Sequence, residues 1–380
     1  MSKRVLLFYP PNKRSVAIET LCKAVHDSGN KLIVLTLTER GPFHEALEKQ
    51  GIKTFVYPSI GKRSWKYSRF YKQSRYLTRF CKQHHIDMVC SHLQEGNIIA
   101  LMAQPFLKAK LILFRHHAES AFYAEFGKKM NMKRSRGEVM LDKIINRFGK
   151  TIVVPSSGVW YGMEKYEHCN MKKVKLLPYI YDFSSYQQPD EKEVKALRDQ
   201  HPCQLMLIMI SRMVVSKQHM QVFKVMKKLI AEGLSVKMIV MDDGPLRPKL
   251  EKFITDNDLS DHFILTGYRE DFVNYMMAAD LLIHPSVTEA SNNVVKEMAL
   301  LEKTVAVCRR VGDFSDYIED HRNGYFLESD TIEQGVESVI RDAYNDPGKL
   351  KSMGEELKKD VLRRFSDSPA NRQRFLDLLN

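Results

Sequence analysis

The sequence predicts an α/β protein of two doubly wound domains. Short runs of β-branched and aliphatic residues alternate with amphipathic stretches almost from end to end. The alternation pauses once, at Pro178–Pro189 (PYIYDFSSYQQP), and then restarts. The 380-residue length allows two cores of ordinary size. In the first half, Val5–Tyr9, Leu32–Leu37, Met88–Ser91, Leu111–Phe114 and Thr151–Val154 read as strands, with helical spacing over Ala17–Asp27 and Asn97–Lys108. In the second half the strands are Gln204–Ile210, Lys237–Met241, Phe263–Thr266, Leu281–His284 and Thr304–Val307. Strand–helix alternation of this kind implies parallel sheets covered on both faces, with ligands held beyond the carboxyl ends of the strands.

Composition excludes several classes. No apolar run approaches the roughly 20 residues that span a bilayer, and MSKRVLLFYPPNK has too short an apolar core for a secretory signal, so a cytoplasmic protein is expected. Six scattered cysteines without a CxxC pair indicate neither a zinc site nor a disulfide framework. The adjacent Asp242 and Asp243 are explained by the turn at Gly244-Pro245, so no metal is assigned.

A net charge of +13 favours anionic partners. It is concentrated: Gly61–His85 carries eight Lys or Arg and no acid, interleaved with Trp65, Tyr67, Phe70, Tyr71, Tyr76 and Phe80, and Lys128–Arg136 adds five more cations. Lys62, Arg63, Trp65, Lys66, Arg69, Lys128, Lys129, Lys133 and Arg134 are therefore the candidate surface for an anionic membrane or acceptor. The alternative is a solvated helix face whose aromatics enter the core. No nucleic-acid motif accompanies the charge, and no nucleic-acid partner is assigned.

The chemistry-bearing residues cluster in the second half. Arg212 follows a strand and Lys217 lies five residues on, two cations able to clamp a diphosphate or simply to be solvated. In TEASNNVVKEMA, Glu289 precedes a helix and Glu297 lies on its second turn, with Ser291, Asn292 or Asn293 as the cap and Val294, Val295, Met298 and Leu301 as the inner face. Carboxylates suit sugar hydroxyls, whereas amides and cations suit phosphates. Taken alone, the pair also reads as two ordinary surface charges.

The succession SRMVVSK, MDDGPLRPKLE, LTGYREDFVNYMMAADLLIHPS, TEASNNVVKEMA and GDFSDYIEDHRNGYFL resembles the donor-binding domain of family 4 retaining glycosyltransferases of the GT-B fold. The first half is similar more loosely, through VLLFYP, IDMVCSHLQEGNIIALMA, KLILFRHH, TIVVPSS and VKLLPYIYD. The resemblance implies two Rossmann-like domains facing a central cleft: residues 1–182 for the acceptor, 183–365 for the nucleotide sugar, and a helix in 366–380 packing back on the first domain. It implies that Arg212 and Lys217 hold the diphosphate, Glu289 a sugar hydroxyl and Glu297 the ribose. Amides of Ala290, Ser291, Asn292 and Asn293 would contact sugar and phosphate, Tyr268 and Arg269 would lie at the base, and His116 would face the transferred sugar.

It further implies a metal-independent reaction with a UDP- or GDP-linked sugar as substrate and no cofactor. The acceptor would be a glycan or lipid-linked acceptor in surface polysaccharide, lipopolysaccharide or glycolipid synthesis, and the enzyme can then work at the inner face of the cell membrane. A GT-B sugar-nucleotide epimerase and a non-catalytic nucleotide-sugar-binding protein are the alternatives. The chain departs from the family pattern at PPNKRSVAIE, which lacks the glycine-rich loop, at Ala290-Ser291 in place of Gly-Phe, and at Asp242 in place of Gly.

Overall fold

The computed structural model describes residues 2–58, 66–118, 120–125, 127 and 135–379. The chain divides into two units, one of Met1–Ser184 with Phe365–Asn380 and one of Ser185–Arg364.

The strands of the first unit are β1 (Arg4–Phe8), β2 (Lys31–Thr36), β3 (Lys53–Val56), β4 (Met88–His92), β5 (Lys110–Phe114), β6 (Ile152–Val154) and β7 (Val174–Leu176). They form a parallel sheet in the order β3-β2-β1-β4-β5-β6-β7. Its helices are α1 (Val16–Asp27), α2 (Pro42–Glu48), α3 (Lys66–Gln83), α4 (Leu93–Ala103), α5 (Ser120–Glu125), α6 (Arg136–Phe148) and α7 (Ser157–Lys165).

The helix expected over Asn97–Lys108 instead starts four residues earlier, because Leu93 adopts a left-handed φ of 66° that turns the chain straight out of β4. It stops before Pro105, which has no N–H to continue it.

The second unit contains β8 (Leu205–Ile210), β9 (Val236–Met241), β10 (Phe263–Gly267), β11 (Leu281–His284), β12 (Thr304–Cys308) and β13 (Tyr325–Leu327), parallel in the order β10-β9-β8-β11-β12-β13. Its helices are α8 (Glu191–Gln200), α9 (His219–Ala231), α10 (Arg247–Asp256), α11 (Phe272–Ala278), α12 (Asn293–Leu300), α13 (Ile332–Asn345) and α14 (Pro347–Phe365). Leu205–Met209 are all buried, as expected of a central strand covered on both faces, which is why LMLIMI is continuous rather than alternating.

The last helix, α15 (Pro369–Leu379), belongs to the first unit. Phe375, Leu378 and Leu379 enter the core formed by Val5, Ile18, Val25 and Phe114, and Arg372 pairs with Asp27 at 2.8 Å. The six thiols are free and, apart from Cys203, buried. No helix among the described residues is long and apolar enough to cross a membrane.

Candidate functional site

In the second sheet the strand order reverses between β8 and β11, which pair directly through Leu281 and Leu207. Their outgoing loops must therefore diverge at this point and leave a crevice between them. The two loops are stitched at its base: Val287 N–H donates to Ser216 O (3.1 Å), and the Gln218 side-chain amide donates to Pro285 O (2.9 Å). Gln218 holds a left-handed φ of 57° at the start of α9, which ends the short 3-10 turn Val215–Lys217 and aims Lys217 across the crevice.

Lys217 Nζ donates to Ser286 Oγ (3.0 Å) and is ion-paired with Glu289 Oε1. Glu289 also takes a hydrogen bond from His284 Nε2 at 2.8 Å, and its side chain is only 13% exposed. Burial alone pushes this carboxyl up, but the bond from His284 and the charge of Lys217 outweigh it and hold Glu289 well below the usual range. It is an ionised acceptor at any physiological pH, suited to a hydroxyl. Arg212 is exposed beyond the end of β8, and its guanidinium pairs with no described residue, so its charge is available to an anion.

Of the three possible caps for α12, Asn292 takes the role: its side chain accepts from Val295 N–H at 3.0 Å. Ala290 is buried and Asn293 exposed. Glu297, on the second turn, stands beside Tyr186. Burial raises the Glu297 carboxyl to about 7, against the opposing charge of Lys296. Tyr186 comes from the tyrosine-rich stretch that reads as a linker in the sequence, which gives no signal of its place here. Nor does the sequence single out His284 and Ser286 as partners of the site, although both stand in LLIHPS.

Tyr268 follows Gly267, whose φ is 67°, and is 79% exposed. Arg269 is committed to Asp271 (2.7 Å) and lies over the Tyr275 ring. Asp242 sits at φ 84°, so the position where the family pattern has glycine has the backbone that favours glycine.

His116 lies in the first unit, at the end of β5. Its Nε2 meets His92 Nδ1 at 3.1 Å and its Nδ1 meets the Tyr179 hydroxyl, so both ring nitrogens are engaged. Burial, reinforced by the charge of His117, lowers its pKa to about 3, and the ring is neutral. Beside it, Gln94, Arg115, His117, Glu138 and Asp142 line a pocket of ≈ 190 Å³. Its floor is fixed by buried Arg115, which binds both carboxylate oxygens of Glu167.

Of the basic surface, Arg69 is described and pairs with Glu95 at 2.8 Å. Lys66 begins α3, but its side chain is outside the described residues, as are Lys62, Arg63, Trp65, Lys128, Lys129, Lys133 and Arg134.

Residues 191–360 match the family model for glycosyl transferases group 1. The poly(ribitol-phosphate) alpha-N-acetylglucosaminyltransferase of Staphylococcus aureus is 24% identical over 172 residues, covering 45% of this chain and 34% of the relative. The phosphatidylinositol N-acetylglucosaminyltransferase gpi3 subunit of Schizosaccharomyces pombe is 28% identical over 193 residues, covering 50% and 41%. The matches thus span less than half the length of either relative. Among solved structures, Anabaena HepE in complex with UDP and glucose superposes over 99% of both chains with a TM-score of 0.79 at 17% identity. The two parallel-sheet units are those of the GT-B fold.

Proposed function

We propose that a chain with this group 1 domain transfers a sugar from a nucleoside-diphosphate donor to a glycan or lipid-linked acceptor, with retention at the anomeric carbon. The observation that carries the reading is the convergence, at one switch point, of an uncommitted Arg212, a Lys217–Glu289–His284 cluster and the start of α12. Arg212, Lys217 and the α12 amides together offset the charge that develops on a leaving diphosphate, the work a divalent cation does in other transferases. A metal-independent reaction follows from that reading. Ionised Glu289 accepts from a sugar hydroxyl, and Glu297 from the ribose. Substitution on the same face as the leaving group then proceeds through an oxocarbenium-like transition state, with no opposing nucleophile. His116, neutral and held at both nitrogens, offers the sugar a fixed surface rather than a proton.

The UDP in the HepE complex and the acceptors in the relatives' names favour UDP as the nucleotide and a surface glycan or glycolipid as the product. An epimerase is not favoured, since the matched family and relatives are transferases. The acceptor is assigned to the first unit, with the pocket beside His116 as its sugar site. Incubation with the donor and no acceptor should give at most slow hydrolysis; release of an epimerised nucleotide sugar would overturn the assignment.

The same reading places the enzyme at an anionic membrane. Phe70, Leu77 and Phe80 of α3 are buried, while Tyr71, Lys72, Arg75, Arg79 and Lys82 are exposed. The adjoining α4 and α6, with the turn after α4, add exposed Phe106, Met140 and Phe148. Exposed cations and exposed apolar side chains in one unit suit a lipid headgroup layer. Sedimentation with anionic vesicles should weaken with added salt and on neutralising Lys62, Arg63, Lys66 and Arg69. Equal binding to neutral vesicles would contradict it.

A further inference from the structure

We infer that Ser291, Lys296 and Asp313 form a buried latch that fixes the donor-sugar part of the site, as positioning residues for the sugar rather than for the nucleotide. The inference rests on the donor-site reading above.

Lys296 is on the first turn of α12 and Asp313 in the loop after β12, and both side chains are 0% exposed. Lys296 Nζ donates to Asp313 Oδ2 (2.7 Å), Ser291 Oγ (3.0 Å) and Asn292 O (3.0 Å). Ser291 Oγ–H in turn donates to Asp313 Oδ2 at 2.6 Å. One ammonium thus ties the loop after β12 to two consecutive residues of the loop that carries Glu289.

A second contact holds the same two loops. Gly312 has a left-handed φ of 55°, and a Cβ there would lie 2.9 Å from Glu289 Cβ and 3.3 Å from Ala290 O. The loop after β12 therefore lies directly on Glu289 and Ala290, with the latch beside it.

Stability does not account for this arrangement. Desolvating two charges costs about as much as their attraction returns, and well-packed apolar residues serve as well or better. The cost here is higher still, because Asp313 Oδ1 is buried with no hydrogen-bond partner among the described residues. What the network does fix is the position of the loop that carries Glu289, at Ser291 and Asn292. That loop, with Glu289, faces the sugar, whereas Arg212, Lys217 and the α12 amides reach the diphosphate and Glu297 the ribose.

The test is calorimetric titration of the full chain with UDP and with UDP-N-acetylglucosamine, repeated with GDP and GDP-mannose. The variants are Lys296→Met/Asp313→Asn, which removes both charges at similar volume, and Ser291→Ala, which removes one leg and no charge. Both should lose less affinity for the nucleoside diphosphate than for the nucleotide sugar, the loss of nucleotide affinity in the double variant being that of the Lys296 charge beside Glu297. The double variant should lose about tenfold in affinity for the nucleotide sugar, a loss of 1.4 kcal/mol, and Ser291→Ala should lose affinity for it in the same direction. Wild-type affinity for both ligands in both variants, or equal loss of both, would overturn the latch. Wild-type protein that binds neither ligand pair would instead remove the donor site, and the latch's role with it.

Discussion

Lys217→Met should lower kcat/KM for sugar transfer by about 10²–10³-fold, with most of the loss in kcat. This is the cost of removing one group aimed at charge that develops in the transition state. Lys217 bridges Ser286 and Glu289, so the protein itself holds it at the crevice. Its loss also strips Glu289 of the cation that helps hold its carboxyl low, and leaves burial opposed by His284 alone. The Glu289 carboxyl then rises, and transfer by the variant should acquire an acid limb at a pH where the wild type is flat. A loss confined to KM, with kcat unchanged, would show that Lys217 binds substrate and transition state alike.

Glu297→Gln should trade affinity for stability. The Glu297 carboxyl sits at about 7 in the folded protein against an ordinary 4.5. Below the ordinary value both states are protonated and there is no penalty. Between 4.5 and about 7 the unfolded chain ionises first, so stability falls as pH rises. Above 7 the penalty levels off at about 3 kcal/mol, an upper figure because one edge of Glu297 meets water. Glutamine removes it, and thermal unfolding of the ligand-free variant at pH 8 should shift upward by roughly 6–12 °C, with little change at pH 4.5.

The same substitution should cost at least about tenfold, or 1.4 kcal/mol, in nucleotide affinity, since an amide cannot accept from both ribose hydroxyls as a carboxylate does. In the wild type, ribose hydroxyls favour the ionised form, so binding should release a proton and tighten as pH rises towards 7. Calorimetry in buffers of different ionisation enthalpy measures that proton. Wild-type affinity in Glu297→Gln would remove Glu297 from the nucleotide site.

These two carboxyls show how far the sequence could be read. The E-x7-E spacing and the cap beside it were legible, because a helix start and a preceding loop are local features. Their opposite shifts were not, since they depend on the contacts of Glu289 with Lys217 and His284 and on the burial of Glu297, which only the folded chain supplies. Lys296, between Val295 and Glu297, reads as one more solvated helix cation. Its partner is 17 residues on and visible only once β12 is laid beside β11.

The fold shows the same division. Central strands such as LMLIMI are long and uniformly apolar, and their reading agrees with the structure to within a residue or two. β3, β7 and β13 were not read, being edge strands of three or four residues. Such strands bury little, and their pattern is too short for a period to register. The left-handed turn at Leu93 moved the start of α4 for a comparable reason: nothing in leucine announces it.

The central claim is that the switch point between β8 and β11 holds a nucleoside diphosphate sugar. Titrating the full chain with UDP and GDP, followed by thermal unfolding, tests it most directly. One of the two should bind at one site per chain and, at 100 times its dissociation constant, stabilise the protein by about 2.7 kcal/mol, with the effect reduced in Lys217→Met, because the free diphosphate carries the charge that develops in the transition state. No binding of either nucleotide, or undiminished binding in that variant, would contradict the account.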